Sequence, residues 1–364
     1  MSKIIAIGTA LPPYRHEQKT IFNFMHKVYA LNEVEKRKLK FMYNLSGIEA
    51  RYSVLPDYSL PAGEWDFYPA SENLEPFPTL EKRMAVYNST AAPLSIVAIE
   101  NCLGNTQDKK SITHLISVSC TGMSAPGLDL QIMEMMGLSQ NIFRTSVNFM
   151  GCYAAIHAMK LADSFCKNDK DARVVIVCTE LCTLHFQQSN TFDNLASSLL
   201  FGDGSAAILV VHDHAIGKGP HIKEFYSEVS FEGKRDMSWE LSSTGFLMTL
   251  SGYLPDLVEK DFESLLSNSL MHANLQKKDI THWCLHPGGK KILSAIEKSA
   301  DLAVADFKYS NKVLNDFGNM SSPTILFVLQ EIMNNINTTR ERATIFGAAF
   351  GPGLTMETFI LSDD

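Results

Sequence analysis

The segment Ser146-Val-Asn-Phe-Met-Gly-Cys-Tyr-Ala-Ala155 joins an apolar strand pattern to an amphipathic helix pattern. Residues 143–149 form the strand candidate, and residues 152–166 carry apolar side chains at three- and four-residue spacing, which predicts a helix that begins at Cys152. A thiol at a helix N-terminus meets unpaired N–H groups and the positive end of the helix dipole, which lower its pKa. Cys152 is therefore a candidate nucleophile. A small buried residue is the alternative interpretation, since cysteine is among the most buried residue types.

Strand and helix patterns alternate on both sides of this segment. Strand patterns occur at residues 112–119, 173–179 and 205–212, and helical spacing occurs at residues 80–102 and 128–136. Alternation of this kind is typical of a layered α/β protein. The first part of the chain is therefore predicted to be α/β.

The same alternation resumes after residue 214. The predicted elements are strands at 221–231 and 281–285, helices at 254–275, 290–302 and 323–336, and a hairpin of residues 343–350 and 355–361 around Gly351-Pro-Gly353. Because no short repeat, low-complexity stretch or Pro/Ser linker separates the two parts, we expect two similar, closely packed halves. Their predicted bounds are residues 1–214 and 215–364.

Composition excludes several classes of protein. The 364 residues are 45% hydrophobic and 20% charged, which fits a folded globular chain and not a disordered one. The net charge is −8 and no long Lys/Arg tract exists, so a general nucleic-acid surface is not expected. No window holds 18 consecutive apolar residues, and seven cysteines do not follow a disulfide framework. We therefore expect a cytoplasmic protein with no membrane span.

Two further segments place polar residues at element boundaries. Trp283-Cys-Leu-His286-Pro-Gly-Gly289 is an apolar strand that ends in a histidine, and Asp316-Phe-Gly-Asn319-Met-Ser-Ser-Pro323 precedes an amphipathic helix. Each of these residues, taken alone, is more typical of an ordinary turn. However, loops that leave one edge of an α/β sheet are where catalytic groups collect. Cys152, His286 and Asn319 are thus candidates for one site.

Cys, His and Asn in this order resemble the condensing enzymes of the thiolase fold, and longer motifs narrow the resemblance. The chain is similar to the type III polyketide synthases, the chalcone synthase family, over nearly its whole length. The motifs that carry this similarity are Gly151-Cys152-Tyr-Ala, Leu200-Phe201-Gly-Asp-Gly-Ser-Ala-Ala207, His286-Pro-Gly-Gly289, Phe317-Gly-Asn-Met-Ser-Ser322 and Gly351-Pro-Gly-Leu-Thr-Met-Glu-Thr358.

The resemblance implies a fold, a reaction and an assembly. The fold is a layered αβαβα core, and the assembly is a homodimer. Cys152 would attack an acyl-CoA starter and carry the chain, while His286 and Asn319 would bind the thioester carbonyl of malonyl-CoA during decarboxylation and repeated Claisen condensation. A nucleophile and oxyanion donors are the groups that this chemistry needs. Malonyl-CoA and acyl-CoA are the expected partners, and no metal or redox cofactor is expected.

The resemblance also implies residues that shape the substrate cavity. Phe201 stands where the family has a gating phenylalanine, whereas the second gating position falls on Met248. Cys120 replaces a usual threonine, and Trp239 falls where plant members keep a small residue. Because methionine is flexible, Met248 favours long or linear starters and hence alkylpyrone or alkylresorcinol products. Packing in the core is the alternative role for Met248 and Cys120.

For the phosphates of CoA, the resemblance points to Lys38. The neighbouring basic positions of the family appear here as Phe41 and Leu45. The charge run Glu35-Lys-Arg-Lys-Leu-Lys40 could supply other cations, since a Lys/Arg cluster suits phosphate. An ordinary solvated helix face is the alternative.

Three other functions are weighed against this one. A single-condensation ketoacyl synthase or a hydroxymethylglutaryl-CoA synthase-like enzyme would share the fold, but no glutamate stands in a motif that matches the latter. A non-catalytic scaffold is disfavoured because Cys152, His286 and Asn319 are all present. A zinc site at Cys178-Thr-Glu-Leu-Cys182-Thr-Leu-His185 lacks a fourth ligand with suitable spacing.

Overall fold

The structure is a computed structural model that describes residues 1–71, 74–105, 107–339 and 342–363. The strands are β1 (Ser2–Ala10), β2 (Tyr14–Glu17), β3 (Ala50–Ser53), β4 (His114–Ser119), β5 (Phe143–Asn148), β6 (Arg173–Leu181), β7 (Asp203–His212), β8 (His221–Val229), β9 (Met237–Ser242), β10 (Gly245–Leu250), β11 (His282–Leu285), β12 (Thr344–Gly351) and β13 (Thr355–Ser362). The helices are α1 (Gln18–Val28), α2 (Glu33–Leu45), α3 (Leu80–Leu103), α4 (Leu128–Met136), α5 (Ala154–Asn168), α6 (Phe192–Leu200), α7 (Leu254–His272), α8 (Lys290–Ala300), α9 (Lys308–Phe317) and α10 (Thr324–Thr339).

Nine strands of the described residues form one sheet in the order β11-β12-β13-β8-β1-β7-β6-β4-β5. The first half of the chain supplies β1, β7, β6, β4 and β5, and the second half supplies the other four. A short antiparallel pairing of Ser2 and Lys3 with Ile222 and His221 joins the two sets. Strand β4 runs parallel to β5 and β6, and β11 runs parallel to β12.

Alternating side chains of the central strands pack into different layers. On β6, Val174 and Ile176 contribute to the cluster that contains α5 and α10, whereas Val175 and Val177 contribute to the cluster that contains α3 and α4. Strands β12 and β13 likewise divide their side chains between the α5/α10 cluster and the α7/α8 cluster. Strands covered on both faces read as continuous apolar runs. The expected αβαβα layering is confirmed, with α5 and α10 in the middle layer.

Most predicted elements are present, and their boundaries shift by a few residues. The hairpin around Gly351-Pro-Gly353 is confirmed as β12 and β13, which pair antiparallel throughout. The helix predicted from Cys152 begins instead at Ala154, with Tyr153 as its N-cap. The β9–β10 hairpin, which was not predicted, contributes to the site described below. In the part of the chain that the structure describes, no helix is long and apolar enough to cross a membrane.

Candidate active site

Three element ends bring Cys152, His286 and Asn319 to one cavity. Cys152 lies between β5 and α5, His286 directly follows β11, and Asn319 lies between α9 and α10. All three side chains line a cavity of about 340 Å³ and are themselves buried. The Cys152 Sγ lies 4.0 Å from the Asn319 Oδ1 atom. Cys152 and Asn319 are therefore in near contact, and His286 lines the same cavity.

Backbone geometry exposes Cys152 to the cavity at a tight turn. Gly151 has a φ of +81°, and a Cβ atom there would lie 2.3 Å from the Cδ atom of Pro352. Only glycine fits this position without moving the β12–β13 connection. The Gly151 N–H also donates to the Cys120 Sγ at 3.0 Å. Cys120 thus supports the nucleophile turn in addition to lining the cavity.

Burial reverses the expected pKa of Cys152. The pKa of the thiol is raised to about 11, first because the group is desolvated and further because the Glu180 carboxylate is nearby; side-chain hydrogen bonding with Ser321 and Asn319 opposes the rise. The expectation that the pKa of Cys152 is lowered was therefore wrong. The helix begins two residues later than predicted, and desolvation outweighs the helix dipole.

His286 is held in the cavity by its backbone and not, as far as the described residues show, by its ring nitrogens. Its backbone N–H donates to the Ala348 carbonyl, which extends the β11–β12 pairing by one residue. Neither Nδ1 nor Nε2 has a hydrogen-bond partner among the described residues, and burial lowers the pKa of the ring to about 3. A neutral imidazole has one donor and one acceptor nitrogen. The ring can therefore accept a proton and donate a hydrogen bond to a bound substrate.

Asn319 is fixed by its backbone to the end of α6. Its N–H donates to the Leu200 carbonyl at 2.9 Å, and its own carbonyl accepts from Gly202 at 3.0 Å. The Asn319 Oδ1 atom accepts from the Ser321 N–H at 2.8 Å, which orients the carboxamide. Gly318 allows this approach, because a Cβ there would lie 2.7 Å from the Leu200 carbonyl oxygen.

Phe201 is coupled to the same loop. It pairs with Asn319 as an isolated parallel bridge, and its carbonyl accepts from the buried Arg51 Nη1 at 2.6 Å. Phe201 lines the cavity, as the sequence predicted. The sequence analysis did not identify Arg51, which also packs its Cγ against Gly318 and so supports the Phe201 and Asn319 backbones together.

Glu180 is a second residue that the sequence analysis missed. Its Oε2 accepts from the Cys120 N–H and the Thr121 hydroxyl, and its Oε1 accepts from the Ser322 hydroxyl. Desolvation raises the pKa of this carboxyl to about 7. A carboxylate at the end of an apolar strand was the available signal, because buried charges require partners. Glu180 ties the strand ends around Cys152 to each other.

The remaining predicted cavity residues form one wall. Trp239 and Met248 face each other across the β9–β10 pair, and both line the cavity. The Trp239 Nε1 donates to the Cys120 carbonyl at 2.7 Å. His185 lies edge-on to Trp239 at 5.6 Å between ring centroids and stacks on Phe246 at 4.2 Å. The position of Trp239 is therefore fixed by a hydrogen bond and by two rings.

Lys38 does not line the cavity. It is exposed on α2, and it lies one helical turn from Phe41 and Met42, which do line the cavity. Lys290 and Lys291 at the start of α8 are exposed cavity-lining residues that the sequence analysis missed, although they directly follow the His286-Pro-Gly-Gly289 motif. Neither of these two lysines forms an ion pair with a described residue.

The lining residues that are exposed mark the cavity mouth, which we define as Phe41, Leu45, Phe192, Lys290 and Lys291. The mouth therefore combines apolar side chains from α2 and α6 with two cations from α8. A thioester with a charged carrier fits this arrangement, since cations attract phosphate and a narrow apolar passage admits an uncharged chain.

No cluster of three or more His, Cys, Asp or Glu side chains in the described ranges is arranged to hold a metal ion. Cys178 is fully buried in β6. Both ring nitrogens of His185 already make hydrogen bonds, one with the Thr121 carbonyl and one with the Phe246 N–H. These contacts leave the Cys178-to-His185 segment without the free ligands that a zinc site needs.

Comparison with known proteins identifies the family of this chain. Residues 1–214 match the family model of the N-terminal domain of chalcone and stilbene synthases, and residues 226–363 match that of the C-terminal domain. PKS-I from the brown alga Ectocarpus siliculosus is 25% identical, with a TM-score of 0.92 over 100% of this chain and 98% of that chain. The C-terminal type III polyketide synthase domain of Steely1 from Dictyostelium is 26% identical, with a TM-score of 0.90 over 100% and 99%. This chain therefore belongs to the chalcone and stilbene synthase family and is a type III polyketide synthase.

Proposed function

We propose that this enzyme condenses malonyl-CoA repeatedly onto a long-chain acyl-CoA starter and releases alkylpyrone- or alkylresorcinol-type products. The observation that carries this proposal is the extent of the cavity. The cavity that contains Cys152, His286 and Asn319 is also lined by apolar side chains of α1. A hydrocarbon chain attached at Cys152 gains free energy by leaving water for such a surface.

Cys152 is the proposed nucleophile. Its sulfur forms a bond to the starter carbonyl carbon, the CoA thiolate leaves, and the Cys152 proton passes to His286 and then to the leaving thiolate. His286 suits this role because its ring nitrogens have no partner among the described residues. Attack by a thiol that transfers its proton to a neighbouring base is a general route to a thioester intermediate.

His286 and Asn319 are the proposed donors to the thioester carbonyl of malonyl-CoA. Loss of CO₂ leaves an enolate whose negative oxygen needs such donors. The enolate carbon then attacks the thioester on Cys152, the Cys152 thiolate leaves, and the chain is two carbons longer. Removal of one oxyanion donor costs about 10²- to 10³-fold in kcat. These steps use only groups of the chain and the two CoA substrates, so they require no metal or redox cofactor.

Phe201, Met248, Cys120 and Trp239 are the proposed residues that shape the cavity around the growing chain. Phe201 would separate the CoA passage from the cavity, and Met248 would change rotamer to let a fatty chain pass. The hydrogen bond from Trp239 to the Cys120 carbonyl supports a rigid wall on the opposite strand. Chains are therefore expected to bend away from Trp239.

Lys290 and Lys291 are the proposed ligands of the CoA phosphates, together with Lys38. Lys38 does not line the cavity, but it lies on α2 one helical turn before Phe41, which does. Phe41 and Leu45 contribute no charge to the mouth, whereas Lys290 and Lys291 on α8 contribute two cations. Lysine is a common phosphate ligand that acts as a point charge.

We also propose that the chain divides into two domains near residue 214.

The proposed assembly is a C2 homodimer that associates through β5. Strand β5 is the edge of the sheet, with Phe143 68% exposed, and Met135 on the adjacent α4 is 58% exposed. An unpaired edge with exposed apolar side chains is a site of association. Light scattering should give about twice the 40.5 kDa of one chain.

The test is to incubate the enzyme in parallel with malonyl-CoA and octanoyl-, palmitoyl- or aromatic CoA starters, and to measure the masses of the products by mass spectrometry. Products with two or three added ketide units on palmitoyl-CoA support the proposal. A single ketoacyl or hydroxyglutaryl product indicates the single-condensation alternative, and no reaction with any thioester indicates a scaffold. Cys152→Ala should abolish both acyl loading, read by intact mass, and product formation.

A further inference from the structure

Two buried residues of α1 line the same cavity as Cys152, although α1 lies more than 120 residues before Cys152 in the chain. Ile21 and Met25 are 3% and 2% exposed, and both line the cavity. Their spacing of four residues puts them on one face of α1, one turn apart. Neither residue belongs to a motif, and the reaction described above does not use either of them.

The surfaces around these two residues are largely apolar or aromatic. Phe186, Leu199 and Tyr58 line the same cavity and belong to the same apolar cluster as Ile21 and Met25. We call these five residues the α1 arm. The Tyr58 hydroxyl donates to the Thr183 carbonyl at 2.8 Å, so the polar atom of the arm is already bonded.

The α1 arm is connected to the catalytic residues through β6 and its continuation. Thr183, whose carbonyl binds Tyr58, directly follows Cys182, which lines the same cavity as Cys152. His16, which also lines the cavity next to Tyr58, has both ring nitrogens hydrogen-bonded, to Ser59 and to the Leu55 carbonyl. The polar atoms of Tyr58 and His16 would therefore stay paired beside an alkyl chain in this region.

We infer that the α1 arm receives the hydrocarbon tail of the starter and that Met25 and Ile21 form the end wall that sets the longest accepted chain. This inference rests on the proposed function, because it requires an acyl chain attached at Cys152. An end wall discriminates sharply, since one methylene more or less in an apolar pocket changes kcat/KM by about 10- to 200-fold. The arm would thus determine the longest accepted starter, whereas Met248 would only let the chain pass and Trp239 would direct its path.

The experiment measures kcat/KM for acyl-CoA starters of 8 to 20 carbons with Met25→Trp, Met25→Ala and the wild type. Met25→Trp shortens the arm, so the ratio of kcat/KM for palmitoyl-CoA to that for octanoyl-CoA should fall at least tenfold. Met25→Ala lengthens the arm and should move the preferred starter to a longer chain. If Met25→Trp does not fold, as judged by circular dichroism, the Met25→Ala length profile decides the inference.

Met136→Ala is the matched control, because Met136 is buried in the same apolar cluster but does not line the cavity. It should leave the length profile of the wild type unchanged. Active Met25 variants with an unchanged length profile would overturn the inference while leaving the proposed function intact. Failure of the wild type to condense any fatty starter would instead overturn the proposed function.

Discussion

Replacement of His286 with alanine should slow the alkylation of Cys152 at neutral pH. Burial raises the pKa of the thiol to about 11 and lowers that of the His286 imidazole, which lines the same cavity, to about 3. When the thiol proton passes to His286, the thiolate and the imidazolium carry opposite charges within one cavity, and their attraction favours the ion pair against desolvation. The variant loses this proton acceptor, so only the effect of burial remains.

The magnitude follows from the pKa of the isolated thiol. With a pKa of about 11, the thiolate fraction at pH 7 is about one in 10⁴, and it rises about tenfold per pH unit up to about pH 10. The variant should show this steep rise. The wild type should react at least about tenfold faster at pH 7, since one pKa unit of stabilisation is a factor of ten, and its rate should depend less steeply on pH.

The assay is limiting iodoacetamide at pH 6 to 10 with peptide mapping of all seven cysteines. The other cysteines serve as internal controls, because burial raises the pKa of each of them well above the usual range of a thiol. Cys152 should be labelled first in the wild type. Superimposable pH profiles for the wild type and His286→Ala would refute a role for His286 as proton acceptor, and preferential labelling of Cys120 or Cys284 would refute the assignment of the nucleophile.

Three further predictions concern the mouth, the cavity wall and the nucleophile turn. Replacing Lys290 and Lys291 together with alanine should raise the KM for malonyl-CoA about three- to tenfold at low salt, because exposed ion pairs contribute about 0.2–1 kcal/mol each. The KM for malonyl-pantetheine, which lacks the phosphates, should not change. The control Lys278→Ala, at the opposite end of β11, should change neither KM. Trp239→Phe keeps an aromatic ring but leaves the Cys120 carbonyl without its N–H donor, so urea unfolding should show a loss of about 1–3 kcal/mol; no loss would mean that the bond does not stabilise the wall. Gly151→Ala puts a Cβ 2.3 Å from Pro352 at a φ of +81° and should lower stability by at least about 1 kcal/mol and impair acyl loading, whereas Gly63→Ala, with no atom within 4 Å, should do neither.

Local patterns in the sequence predicted a layered α/β protein, and the resemblance to a family joined Cys152, His286 and Asn319 into one candidate site. The alternation of strand and helix periodicity reflects which side chains each element buries, and that information is local. Cys152, His286 and Asn319 stand at element boundaries, which turn-forming neighbours such as Gly151 and Gly318 mark in the sequence. The longer motifs around them were specific enough to indicate the family, which the comparisons then established.

Properties that depend on how distant segments pack were decided only by the tertiary structure. The rise in the pKa of Cys152 comes from burial by several elements, which no local pattern encodes. The position of the thiol near a helix terminus therefore predicted a shift of the pKa in the wrong direction. Lys290 lines the mouth and Met25 lines the cavity because α8 and α1, far apart in the chain, are folded against the same space. A cavity is the gap between packed surfaces, and its shape therefore depends on three-dimensional contacts that the order of residues specifies only through the complete fold.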